Sequence, residues 1–89
     1  MLSLRDLFDF CRLTEGEVRA IAEHEHISEI SAALLGQSLI QSRKGADEIE
    51  RFIREDMEHA EGDGLTLKTK GLQQVLARFV ETRPFRGRG

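Results

Sequence analysis

The stretch Glu29-Ile30-Ser31-Ala32-Ala33-Leu34-Leu35-Gly36-Gln37-Ser38-Leu39-Ile40-Gln41-Ser42 decides the fold. After Glu29 it carries no charge, and its apolar residues recur at helical rather than strand spacing. Ile30, Ala33, Leu34 and Ile40 point one way on a helix; Ala32, Leu35 and Leu39 point roughly the other. A helix apolar on two sides is buried on two sides, so this segment is expected to be the central helix of a bundle or a dimer interface. Gly36 lies between the two faces and would let another helix come close.

The same period continues on either side. Thr14-Glu15-Gly16-Glu17 has capping-box spacing and opens a helix with the stripe Val18, Ile21, Ala22, ending near His26 because Ser28 reads as the next N-cap. Before it, Ser3 can cap a segment with the stripe Leu4, Leu7, Phe8, Cys11, and Phe10 falls outside that stripe. After the decisive stretch, Gly45 is expected to separate a helix over about 46–60 (Ile49, Phe52, Ile53, Met57, Ala60). Glu61-Gly62-Asp63-Gly64 reads as a turn, and a last helix runs over about 67–82 before Pro84 stops it. No segment alternates as a strand does. The expectation is an all-α compact bundle of four to five short helices, with residues 1–82 as one domain and 83–89 as a basic tail.

Composition narrows function. The 89 residues carry 39% hydrophobic side chains, enough for one small core. The net charge of -3 is segregated: residues 1–64 hold 7 basic and 15 acidic side chains, and 65–89 hold 6 basic and one acidic, Glu81. A basic last helix docked on an acidic body accounts for this without any partner. No apolar run is long enough to span a bilayer, which speaks against a membrane partner. The single cysteine, Cys11, fits a reducing cytoplasm.

Candidate chemistry is sparse. Glu23-His24-Glu25-His26 and Asp56-Met57-Glu58-His59 each place a carboxylate three residues before a histidine, the spacing seen in carboxylate-bridged di-iron bundles. Glu23, however, points away from its helix's apolar stripe. What survives is a surface metal site for Zn, Fe or Ni built on His26, His59 and a nearby acid. Glu25 and Asp56 fall on apolar stripes and are candidate buried acids. Asp56, in mid-helix, is expected to pair with Lys68 or Arg83, so that Asp56→Asn would destabilise the fold. Ile21 to Ile30 loosely resembles a helix-turn-helix unit, with His26 where such units usually have glycine. Its second helix has no Lys or Arg before Arg43, which argues against nucleic acid. No nucleophile, phosphate loop or Cys-x-x-Cys motif stands out, so the chain reads as a non-enzyme.

Phe10-Cys11-Arg12-Leu13-Thr14 with Ile21-Ala22-Glu23-His24-Glu25-His26, and Leu76-Ala77-Arg78-Phe79-Val80-Glu81-Thr82-Arg83-Pro84, resemble small uncharacterised helical proteins of proteobacteria. The resemblance implies an all-helical cytoplasmic domain in a bacterium and lends no functional residue. The reading is therefore a protein-interaction or regulatory module that self-associates or binds a protein partner. Its expected surface is Ala32, Leu35 and Leu39, with Phe10 as a second exposed apolar candidate.

Overall fold

A computed structural model describes residues 13–82, and these form an all-α bundle. Four helices follow one another: α1 (Glu15–Glu25), α2 (Glu29–Leu39), α3 (Arg43–Gly62) and α4 (Thr66–Thr82). The expected segment before Leu13, Phe10 included, and the expected basic tail from residue 83 lie outside the described residues.

Local chemistry sets the helix starts. At α1 the Glu17 N–H donates to Thr14 Oγ1 at 3.4 Å and the Thr14 N–H donates to Glu17 Oε1 at 3.0 Å, completing the capping box. Ser28 caps α2 by accepting from the Ser31 N–H, and Ser42 caps α3 by accepting from the Gly45 N–H. The third helix thus begins three residues earlier than expected, with Gly45 inside its first turn rather than ahead of it. The reason is Ser42: its hydroxyl satisfies the glycine N–H and fixes the start. Gly45 is buried, and a side chain there would strike the Leu39 backbone.

Of the two places expected for the uncharged helix, the centre of the bundle or a dimer interface, the packing order excludes the first. α3 touches all three other helices, and its most extensive contact is with α4. α1 also contacts α2 and α4, whereas α2 and α4 barely meet. The centre is therefore the α1–α3 pair, with α2 against one flank and α4 against the other. Ile49, Phe52, Ile53 and Ala60 of α3 close on Val18 and Ile21 of α1, Ala32 and Ala33 of α2, and Leu72 and Phe79 of α4, all of them buried. Each fully buried large aliphatic side chain stabilises such a core by about 1.5–3 kcal/mol.

α2 turns one side inward, and small residues decide which. Gly36 is buried against Leu13 and the Ile21 side chain, and Ala32 and Ala33 are closed off beside it. A helix approaches nearest where its side chains are smallest, so the Ala32–Gly36 edge becomes the contact. This corrects the expected interaction surface. Ala32 is 0% exposed, and Leu35 and Leu39 are half-buried against the core. The side chains left facing outward are Ile30, 53% exposed, and Leu34, 59% exposed, with Ile27 beside them just ahead of the helix.

Two glycines in the same helix give a direct test. Gly45→Ala should destabilise by about 2 kcal/mol or more, because backbone cannot move aside as a side chain can. Gly62→Ala meets nothing within 4 Å and should stabilise by about 0.5–1 kcal/mol, the ordinary helix preference. Urea unfolding of both variants reads the contrast.

Candidate functional site

The densest polar cluster joins the C-terminal end of α1 to the middle of α3. His24 stacks on Phe52 with ring centroids 4.3 Å apart. Its Nδ1 lies 2.8 Å from Glu25 Oε2 and its Nε2 lies 2.5 Å from Glu55 Oε1. A neutral imidazole donates from one nitrogen only, whereas imidazolium donates from both. Burial pulls the His24 pKa down, but the hydrogen bonds to Glu55 and Glu25 outweigh it and hold it above its ordinary value. Glu55 is lowered in turn, by the hydrogen bond from His24 and then by that from Arg51. Arg51 also reaches Glu48 at 3.0 Å and lies over the Phe52 ring, 5.3 Å from its centroid. With both ring nitrogens engaged by carboxylates, one on each helix, His24 ties α1 to α3.

Asp56 lies one residue further along α3 and only 5% exposed, as its place on the apolar stripe implied. The expected counter-ion is engaged elsewhere. Lys68 Nζ donates to Glu23 Oε2 at 2.5 Å, and Arg83 is outside the described residues. Asp56 Oδ2 has no hydrogen-bond partner. Burial, reinforced by the nearby charge of Glu23, pushes its pKa up to about 6. Among the described residues Asp56 therefore forms no salt bridge with Lys68, and the expected alternative, Arg83, lies outside them.

The other residues singled out in the sequence are dispersed. Glu25 is not buried: it sits at the end of α1, where water reaches it, and binds His24. His26 closes α1 in the left-handed conformation, φ 59° and ψ 46°, the backbone role that glycine fills in helix-turn-helix units. His59 is exposed near the end of α3. Among the described residues no group of three or more His, Cys, Asp or Glu is arranged to hold a metal ion. The histidine that does gather acids is His24, and its partner Glu55 precedes Asp56. That pairing spans 31 residues and leaves no mark in local spacing.

A second buried acid escaped the sequence reading. Glu17 is 2% exposed, and its Oε2 has no hydrogen-bond partner. Burial raises its pKa, although the Thr14 N–H and the charge of Arg78 on α4 both oppose the shift. Its position four residues before Ile21, on the same face of α1, is the signal that could have found it.

A groove of about 340 Å³ runs between α1 and α4, floored by Gly16, Ala20, Leu72 and Val75 and crossed by the Glu23–Lys68 bridge. Its lining holds no Ser, Thr, Cys or His. No described helix is long and apolar enough to cross a membrane. The outer side of α2 is of a different kind: exposed apolar side chains on a helix with no Lys or Arg. Comparison with protein-family models, curated proteins and solved structures gave no match.

Titration separates the two polar features. The His24 pKa is raised in the folded chain, so its contribution is fully present below about pH 6.5 and fades as pH rises through the folded value. The melting-temperature deficit of His24→Gln should therefore be largest in mildly acid buffer and shrink in alkaline buffer. Asp56 behaves oppositely: an acid raised to about 6 by burial costs stability once ionised, above that pH, and nothing below its unfolded value. Asp56→Asn should stabilise by up to about 2 kcal/mol at pH 8 and leave stability unchanged near pH 4. Thermal melts at the two pH values test this, and an Asp56→Asn variant that loses stability at pH 8 would show a paired carboxylate.

Proposed function

We propose that this chain is a small helical protein-interaction module that pairs with a second copy of itself through the outer side of α2. One observation carries this reading: Ile30 and Leu34 stand exposed on a helix with no charged side chain from Ile30 through Ser42. In a two-fold pair the same patch meets itself, so each charge at its centre would face a like charge. α1 and α3 are studded with Glu and Arg, and the whole chain is acidic. The outer side of α2 can oppose itself without repulsion, and the exposed Ser31 and Ser38 on the same helix add uncharged polar groups. The same lack of charge weighs against a nucleic-acid role, since α2 offers a phosphate no cation to meet.

The apolar patch is small beside the roughly 800 Å² per partner of a standard interface. The expected pair is weak and concentration-dependent, as suits a regulatory contact. Sedimentation velocity across a wide concentration range should show a reversible monomer–dimer equilibrium. Leu34→Glu should weaken it by at least about tenfold while leaving the helical circular-dichroism signal unchanged, because Leu34 is already in water. A wild-type chain that stays monomeric at every concentration, or a Leu34→Glu chain that pairs as tightly as wild type, removes the reading.

A further inference from the structure

We propose that α4 is seated by protons: it stays closed on the body while two buried carboxyl groups, Glu17 of α1 and Asp56 of α3, are protonated, and it opens as they ionise. The device is separate from the pairing read at α2 and operates in the single copy.

Geometry selects these two acids and this helix. Glu17 and Asp56 are 2% and 5% exposed, and one carboxylate oxygen of each has no hydrogen-bond partner among the described residues. Once ionised, such an oxygen is stripped of water with nothing in its place. Both acids couple to α4, one towards each end of that helix. The charges around Asp56 are Glu23 and His24 of α1, His59 of its own helix and Lys68 of α4. Lys68 is at the same time the residue that bridges to Glu23. At Glu17, Thr14 supplies the capping hydrogen bonds and Arg78 of α4 supplies the charge. Both cations of α4 favour the ionised acids, yet burial outweighs them. Both acids hold their protons above their ordinary values, Asp56 up to about 6.

Water also has a way in. α1 and α4 run antiparallel, with Gly16 against Val75 at one end and Glu23 bridged to Lys68 at the other. Between these ends the small Ala20 and Gly71 leave the groove of about 340 Å³. The seam is thus held at its ends and parted in the middle. Lifting α4 returns the acids to water and to ordinary values. Closure is therefore strongest below the ordinary carboxylate range, weakens as pH rises towards about 6, and levels off above it. The His24 contribution also fades with rising pH, but His24 ties α1 to α3 rather than to α4. The open form presents Leu72 and Phe79, buried in the closed one, to solvent.

Amide hydrogen exchange of the full chain reads opening helix by helix once it is resolved by residue and corrected for the intrinsic pH dependence of exchange. The protein is diluted until sedimentation shows monomer. From about pH 5 to about pH 8, protection of the α4 amides should fall at least about fivefold. At the higher pH they should exchange before those of α3. Asp56→Asn and Glu17→Gln should each reduce the fall and together remove it, while α4 protection at the lower pH stays as in wild type. Gln serves a capping box as Glu does, so Glu17→Gln keeps the start of α1. If that variant nevertheless fails to fold, Asp56→Asn alone must still reduce the fall. Protection of α4 that is flat between the two pH values overturns the proposal, as does a fall that the substitutions leave intact. So does an α4 that at the higher pH exchanges only together with α3, because the helix then opens only when the whole chain unfolds.

Discussion

The inward stripe of α3 is the surface on which every other helix closes. Ile49, Phe52, Ile53 and Ala60 meet α1, α2 and α4 at once, and the remaining arrangement follows from that demand. α1 lies along the stripe and shares the centre. α4 returns after a short turn in which Gly64 takes φ 73°, and it lies on the opposite flank from α2. α2 can add to the centre only where it is thin, so Ala32, Ala33 and Gly36 face inward and its larger leucines slide to the edges. The exposed apolar patch is thus a by-product of packing. A helix that backs into a core through its smallest side chains carries some of its large ones on the other side.

The polar clusters share this origin. Where α1 meets α3, His24 and Phe52 stack at the margin of the stripe, and the acids around them turn a stacked ring into an ion-paired clamp. Asp56 sits on the same helix but on its inward side, where the carboxylate is removed from water without a matching cation. Two neighbouring residues, Glu55 and Asp56, therefore have their pKa values pushed in opposite directions. The difference is one of direction around the helix: Glu55 accepts from a histidine and an arginine, whereas Asp56 turns inward, where burial outweighs the nearby charges of His24, Lys68 and His59.

Much of this was legible in the sequence, and what was not had physical reasons. The starts of α1 and α2 were readable because capping is local: Thr14, Glu17 and Ser28 lie within one turn of the groups they satisfy. The inward position of Asp56 was readable because periodicity fixes direction on a helix. Its unpaired Oδ2 was not, since Lys68, one of the two expected cations, has a better-placed acid in Glu23 on another helix. Periodicity showed two apolar sides on α2 but could not rank them. That ranking came from steric closeness at Gly36, a property of the helix pair rather than of the helix. The start of α3 was missed because Gly45 was read as a breaker, when its missing side chain instead admits the Leu39 backbone.

The separation of α2 from α4 has a consequence for how the molecule breathes. Each flank rests on the central pair and hardly touches the other, so opening one does not require opening both. Packing of this kind lets the two flanks open as separate units on a common spine. α2 is the shorter, with 11 residues against 17 in α4, and it contributes only small and half-buried side chains to the core. On these grounds its backbone amides are expected to exchange with solvent before those of α3. The helix that carries the exposed patch is thus also the one that can leave the body at least expense to the rest.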